Sequence, residues 1–336
     1  MLTRPSSFEA FERTLERAID RLDASSPIRA HVREHFALDD PQAKRGKRLR
    51  PRILVAAAET EGAEPEAAFP AAAAVELLHN FSLVHDDIED RDELRHGRPT
   101  LWVRHGIPAA ITAGDAMCAL AFLTLLGTRE EPAGAPPERV AEMARVLHRA
   151  HNALCRGQGL DIGFETSPAV TFAQYLAMIE GKTAALFAAS CALGALAAGA
   201  SRERADAYGR MGRAYGLAFQ VRDDILGTWG APAETGKPAG ADIRRRKWSF
   251  PVAWAMDGAP SADREIVAAA YGTIGDLDDE RAAAVIAALE RLGAQRAADA
   301  ACESSIAEAV RIAEEHGLDR DGRLAEIFSS TAQRTA

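Results

Sequence analysis

Glu76-Leu-Leu-His-Asn-Phe-Ser-Leu-Val-His-Asp-Asp-Ile-Glu-Asp90 decides the fold of this chain. Leu77, Phe81, Val84 and Ile88 recur at three- and four-residue spacing, which is the period of a helix and not of a strand. The spacing predicts the second half of a buried helix entered near Pro70. On that helix Asp86 and Asp90 stand one turn apart on the same face. Two carboxylates so placed repel each other by roughly 0.3 kcal/mol, which gives an apolar helix no structural reason to end this way. A hard divalent cation supplies a reason, because magnesium takes oxygens from one or two carboxylates together with substrate phosphates.

Outward from this stretch the same period continues and alternating β-branched runs are nearly missing. Helical windows fall at roughly 7–35, 44–61, 70–90, 106–127, 136–154, 171–199, 202–228, 247–257, 262–271, 280–292 and 296–316, followed from about Leu318 by a further helix and a frayed end. The expected class is all-α, a bundle of helices joined by short loops. With 336 residues and neither a dividing linker nor an internal repeat, one domain over 1–336 is expected. Glu131 to Pro137 reads as a surface connector, and Gly230 to Gly240 as a longer loop able to act as a lid.

Hydrophobic residues at 47% and charged ones at 26% point to a folded globular chain, not a disordered one. A net charge of -9 argues against a nucleic-acid partner. Cys118, Cys155, Cys191 and Cys302 lack metal or redox spacing and read as buried thiols of a reducing, cytoplasmic compartment. No uninterrupted apolar run reaches the roughly 18–20 residues of a membrane span, so no transmembrane segment is expected.

Four further segments carry chemistry. Lys44-Arg-Gly-Lys-Arg-Leu-Arg-Pro51 crowds five cations into the start of an apolar helix. Cations are disfavoured at that end and anions favoured, so a phosphate or diphosphate bound by Lys47 and Arg50 resolves the conflict. Arg95 follows the first acidic motif within reach of a phosphate held by the metal, or of a neighbouring carboxylate such as Asp90 or Asp92. Phe219-Gln-Val-Arg-Asp-Asp-Ile-Leu-Gly227 repeats the acidic pair on a second apolar helix, which suggests that the two helices are opposing walls of one cavity. Gln158 and Asp161 share a helix face, and Lys182-Thr183 interrupts the apolar run from Tyr175 to Ala198 as a second diphosphate contact. No zinc spacing, GxSxG or GxGxxG competes with this set.

In this order, Gly46-Lys-Arg-Leu-Arg-Pro51, Asp86-Asp-Ile-Glu-Asp90, Gly157-Gln158, Lys182-Thr183 and Phe219-Gln-Val-Arg-Asp-Asp224 closely resemble the trans-isoprenyl diphosphate synthases, the polyprenyl synthetase family. The motifs are clear from about residue 40 to 260. The resemblance implies an isoprenoid-synthase helical fold around a deep central cavity, a homodimer, and head-to-tail transfer of a prenyl group. It implies three magnesium ions held by Asp86, Asp90 and Asp223, with an allylic diphosphate steadied by Arg95, Lys182 and Lys237. Lys47, Arg50 and His79 would hold isopentenyl diphosphate, Gln220 and Thr183 would steady the allylic cation, and Lys247 matches a late diphosphate contact. Ionisation needs positive charge on the leaving group in a site closed to water.

Three positions depart from the family pattern. Gly227 stands where many relatives carry a third Asp, His96 where a second Arg contacts isopentenyl diphosphate, and Arg45 where Gly is usual. Phe81 and Ser82, five and four residues before Asp86, match relatives that make geranylgeranyl diphosphate (C20), with farnesyl diphosphate (C15) as the close alternative. A class I terpene cyclase, which would need no isopentenyl site, is the rival reading. A non-catalytic partner subunit and an inert bundle explain the retained acids less well.

Overall fold

Ser26 and Pro27 break the first predicted helix in two. In the computed structural model, which describes residues 5–40, 42, 46–127, 135–231 and 239–332, α1 (Pro5–Ile19) stops and α2 (Pro27–His35) begins at Pro27. Ser26 caps α2, its hydroxyl accepting from Ile28 N at 3.3 Å, and proline at the first helical position needs no N–H partner. Phe11, Leu15 and Ile19 are fully buried at a spacing of four, so α1 contributes one stripe to the core.

The remaining elements are α3 (Leu49–Thr60), a short 3₁₀ turn (Pro65–Ala68), α4 (Phe69–Glu89), β1 (Leu94–Arg95), β2 (Arg98–Pro99), α5 (Leu101–His105), α6 (Ile107–Leu126) and α7 (Pro137–Glu165). After them come α8 (Phe172–Ile179), a π turn (Glu180–Ala184), α9 (Ala185–Ala197), α10 (Arg202–Trp229) and α11 (Ala241–Arg244). The chain continues with α12 (Phe250–Met256), α13 (Ala262–Tyr271), α14 (Asp279–Leu292), α15 (Ala294–His316) and α16 (Arg323–Ala332). The all-α expectation holds, with one exception too short for periodicity to reveal. β1 and β2 form a two-residue hairpin, Leu94 opposite Pro99, around His96 and Gly97. Both central residues have positive φ, +53° and +77°, as the right-handed strand twist favours in a tight hairpin. Helix α7 also runs eleven residues beyond the predicted end at 154, and so carries Gln158 and Asp161.

The described chain divides into two compact units interleaved in sequence. The first comprises 1–149, 189–209 and 318–324; the second comprises 150–188, 210–317 and 325–336. Because neither is one continuous stretch, no linker marks them. In the first unit, Ile53 to Ala58 of α3 and Ala71 to Leu78 of α4 are buried on every side, as in a helix at the centre of a core. A Cβ on Gly194 would lie 2.1 Å from Leu54 O, so glycine lets the end of α9 rest directly on the α3 backbone. The second unit is built on Tyr175, Ile179, Val221, Ile225, Phe250, Tyr271 and Leu289.

Two composition-based expectations change. None of the four cysteines is in a disulfide, but only Cys191 and Cys302 are buried; Cys155 is exposed on α7. Three helical stretches, Pro65–Glu89, Ile107–Leu126 and Phe172–Ala197, are long and apolar enough to cross a membrane by length and composition. Single polar residues interrupt the run without lowering the mean hydropathy enough to exclude a span. Of these windows 72%, 44% and 67% respectively is buried by protein.

Candidate active site

The predicted site residues divide between the units, seven of them (Lys47, Arg50, His79, Asp86, Asp90, Arg95 and His96) with Phe81 and Ser82 on α3, α4 and the segments flanking them. Helix α3 starts at Leu49, later than expected, because Arg48 adopts a left-handed conformation (φ +49°) that halts helix propagation toward the N-terminus. Its guanidinium is 4% exposed and bonded to Glu12 Oε1 at 2.8 Å and Glu76 Oε1 at 2.9 Å. One of the five cations is therefore neutralised by the protein itself, and Lys44 and Arg45 lie outside the described residues. Lys47 is exposed, just before the helix.

Arg50, in the first turn of α3, donates from Nη1 to His79 Nε2 at 3.0 Å. Burial lowers the Arg50 pKa to about 10, against the pull of Glu76. Burial, with Arg50 and Arg95 nearby, holds His79 well below the ordinary histidine range. His79 is thus a neutral acceptor that orients Arg50, and the charge at this place comes from the arginine. The half-buried His35, lowered to about 4 by desolvation, donates from Nε2 to Asn80 Oδ1 at 2.9 Å, since the Asn80 amide nitrogen is already donating to Glu76.

On the last turns of α4 the acidic residues have separate duties. Asp86 and Asp90 are partly exposed, whereas Asp87 is 2% exposed. Asp87 Oδ1 accepts from Arg95 Nε at 2.7 Å and Arg95 Nη2 at 2.6 Å. Burial raises the Asp87 pKa while Arg95 opposes the rise. The hairpin brings Arg95 back toward α4, and the carboxylate that meets it is Asp87, not Asp90 or Asp92. Arg98 donates to Glu34 O at 2.8 Å, and His96 is exposed at the hairpin tip. Phe81 packs edge-on against His85, with ring centroids 4.8 Å apart, and Ser82 donates back to His79 O. A Cβ on Gly114 of α6 would lie 2.3 Å from His85 Nε2, so that glycine makes room for the ring beneath Phe81.

In the second unit, α7 meets the π turn backbone to backbone. A Cβ on Gly157 would lie 2.1 Å from Lys182 N, and one on Gly181 would lie 2.5 Å from Ala153 O. This approach sets Lys182 Nζ 2.5 Å from Asp161 Oδ2, one turn beyond Gly157. The π turn carries Lys182 and Thr183; Thr183 Oγ1 donates to Gln220 Oε1 at 2.6 Å. Gln158 is partly exposed on the same helix as Asp161.

On α10, Asp223 is exposed and Asp224 is 6% exposed. Asp224 accepts from Tyr175 Oη at 2.5 Å, Phe250 N at 2.6 Å and Gln220 Nε2 at 2.9 Å. Burial raises its pKa to about 7 against those three hydrogen bonds. Each neighbouring group presents a donor, and these three bonds favour the ionised carboxylate against the burial that opposes it. Lys247 is held through its backbone, its N–H donating to Asp242 O at 2.9 Å and its carbonyl accepting from Tyr271 Oη at 3.1 Å. Lys237 lies outside the described residues, as does most of the loop read as a lid.

Reading the sequence did not find Asp242. A Cβ on Gly227 would lie 1.8 Å from Asp242 Oδ2. The absent side chain at 227 therefore leaves room for a carboxylate supplied fifteen residues later, and the Gly227 departure was the signal.

Residues 36–289 match the family model described as Polyprenyl synthetase. The chain belongs to the polyprenyl synthetase family. It is 41% identical over 312 residues, 91% of this chain and 84% of the relative, to a (2E,6E)-farnesyl diphosphate synthase of Mycobacterium tuberculosis. It is 42% identical over 265 residues, 78% of this chain and 74% of the relative, to a geranylgeranyl diphosphate synthase of the same species. Among solved structures it resembles a polyprenyl synthetase from Streptomyces coelicolor A3(2), with TM-score 0.85, 33% identity and coverage of 97% and 96%. It also resembles a geranylgeranyl pyrophosphate synthetase from Pyrococcus horikoshii Ot3, with TM-score 0.81, 32% identity and coverage of 97% and 98%.

Members of this family are generally metal-dependent. Among the described residues no three His, Cys, Asp or Glu side chains converge as a metal cage. Magnesium does not need one, since it binds one or two carboxylates and completes its shell with water and substrate phosphate. Asp86, Asp90 and Asp223 offer only hard oxygen donors on solvent-accessible helix faces, and they fit that cation.

Proposed function

We propose that this polyprenyl synthetase is a short-chain trans-prenyltransferase that condenses isopentenyl diphosphate head-to-tail with an allylic diphosphate, and that it depends on magnesium. The observation that carries the reading is the division of labour within each acidic pair. Asp87 and Asp224 are buried, whereas Asp86, Asp90 and Asp223 keep access to solvent. The farnesyl and geranylgeranyl diphosphate synthases among the relatives support the same reaction class, and the cyclase alternative has no support among them.

Asp86, Asp90 and Asp223 are the proposed ligands of magnesium, three ions in all. When bound, the metal supplies the positive charge that draws the diphosphate away from the allylic carbon. Arg95 and Lys182 are proposed diphosphate contacts, Lys182 aligned by Asp161 and Arg95 by Asp87. Lys237 and Lys247 are further contacts to it. Lys47 and Arg50 bind isopentenyl diphosphate beside His79, with His96 at its edge. Gln220 Oε1 and Thr183 present oxygen to the developing allylic cation.

Incubation with labelled isopentenyl diphosphate and each of the C5, C10 and C15 allylic diphosphates, with magnesium or with EDTA, tests this reading. Linear labelled products are expected with magnesium alone. Hydrocarbon released without incorporated label would mean a cyclase. The proposed product is C20, with C15 second, because Phe81 and Ser82, five and four residues before Asp86, match relatives that make geranylgeranyl diphosphate. Phe81→Ala is expected to lengthen the main product by one or two isoprene units in the same assay. An unchanged product distribution would place the control of chain length elsewhere.

A homodimer is part of the proposal. Helix α6 carries a single charged residue, Asp115, yet Ile107, Ile111, Leu123 and Leu126 are 47%, 42%, 52% and 51% exposed. An apolar helix face of this kind is a protein-contact surface, and a second copy of the chain is the occupant proposed. Sedimentation should give twice the chain mass for the wild type and monomers for Leu123→Glu/Leu126→Glu. A monomeric wild type at micromolar concentration would overturn it.

A further inference from the structure

Asp224 is spare in the metal reading, because its carboxylate faces inward. We infer that Asp224 is a positioning residue that sets which end of the Gln220 amide faces the reacting carbon. The inference rests on the role proposed above for Gln220.

The geometry leaves one orientation. Gln220 turns its NH₂ toward the carboxylate, Nε2 donating to Asp224 Oδ1 at 2.9 Å. The amide oxygen then points the opposite way, where Thr183 Oγ1 donates to it at 2.6 Å. Asp224 is itself immobilised. Tyr175, fully buried and in need of a partner for its hydroxyl, donates to Oδ2 at 2.5 Å, and the Phe250 N–H donates to the same oxygen at 2.6 Å. The Phe250 ring stands edge-on to Tyr175, with centroids 6.1 Å apart, so the two donors are packed against each other. Gly216 brings α10 close to the π turn, since a Cβ there would lie 2.6 Å from Ala184 Cα. Donation thus converges on Asp224 from both sides, from Tyr175 and the Phe250 N–H on one and from Thr183 through Gln220 on the other, and it leaves the Gln220 carbonyl oxygen on the Thr183 side, presented to the cation. A flipped amide would present N–H there and repel positive charge.

Exchanging donor and acceptor tests the inference. Asp224→Asn places an amide nitrogen against Gln220 and turns its carbonyl inward. Gln220→Glu places a carboxylate against a carboxylate. Each single variant is expected to lose about 100-fold in kcat, the scale for removing one preorganised group from a developing charge, with KM for both substrates within about threefold. In the double variant the amide nitrogen introduced at position 224 can donate to one oxygen of the carboxylate introduced at position 220, and the other oxygen still faces Thr183. It is expected to recover kcat to within about tenfold of wild type, a non-additivity that independent structural damage does not produce. Binding of Mn²⁺ with inorganic diphosphate, followed by electron paramagnetic resonance, should be unchanged in Asp224→Asn.

A double variant no faster than the slower single, or one that does not fold, overturns the inference. Mn²⁺ affinity lost in Asp224→Asn would make Asp224 a metal ligand instead. Should a single variant misfold, the double against wild type still decides. Wild-type kcat in Gln220→Ala would remove the role of Gln220 itself, and so marks failure of the parent reading separately.

Discussion

Asp86→Ala is expected to lower kcat by about 1,000-fold or more with little change in stability, because it removes a partly exposed charge aimed at a cation and leaves the core packing in place. Asp86 is partly exposed in the last turns of α4. The helix bond it anchors, from Asp90 N to its own carbonyl at 2.7 Å, belongs to the backbone and survives the substitution. Removing one of two like charges a turn apart relieves roughly 0.3 kcal/mol of repulsion, and alanine is the better helix former. The melting temperature should therefore hold or rise slightly while Mn²⁺ affinity and turnover fall together. Asp87→Ala is the control on the same helix. It strips from the half-buried Arg95 its enclosed carboxylate partner, and its main signature should be a lowered melting temperature. Turnover within tenfold of wild type in Asp86→Ala would remove Asp86 from the ligand set.

Gly157→Ala should be the most damaging single-methyl change in the second unit. The added Cβ would stand 2.1 Å from Lys182 N, 2.7 Å from Met178 O and 2.8 Å from Gly181 C. All three are backbone atoms, so no side chain can swing away, and α7 must separate from the π turn. Overpacking of this kind costs about 3 kcal/mol, at the upper end of the usual range, because two helices must move. Separation also carries Lys182 away from Asp161 and shifts Thr183 from Gln220, so kcat should fall with stability. Gly159 on the same helix meets nothing within 4 Å of a built Cβ. Gly159→Ala should therefore be neutral or stabilising by up to about 1 kcal/mol, from helix propensity alone. Thermal denaturation of the two variants side by side decides the point. Equal melting temperatures would mean that the close approach at Gly157 is not obligatory.

Much of this molecule was legible before any coordinates. The spacing of Leu77, Phe81, Val84 and Ile88 required a helix, and that helix fixed Asp86 and Asp90 on one face. Local physics suffices there, since helical geometry relates residues three and four apart whatever surrounds them. The break at Ser26-Pro27 was equally local and readable, yet a continuous apolar period across 7–35 concealed it. The hairpin at Leu94 to Pro99 was not readable, because two-residue strands carry no period.

Within the acidic motifs, sequence identified the carboxylates but could not divide their labour. Asp86 and Asp87 are chemically identical neighbours, as are Asp223 and Asp224. Successive residues on a helix point about 100° apart, so one of each pair turns inward, and which one depends on what packs against the helix. Arg95 returning through the hairpin selects Asp87, while Tyr175 and the Phe250 amide select Asp224. The same holds for Asp242 beside Gly227 and for Gly157 against Lys182: each pairs residues fifteen or more apart. Local pattern specified helices, the acidic and basic motifs and the family, because these are written in short-range spacing. Tertiary packing alone decided which side chains became ligands and which became their supports, because burial and hydrogen-bond partners come from segments distant in the chain.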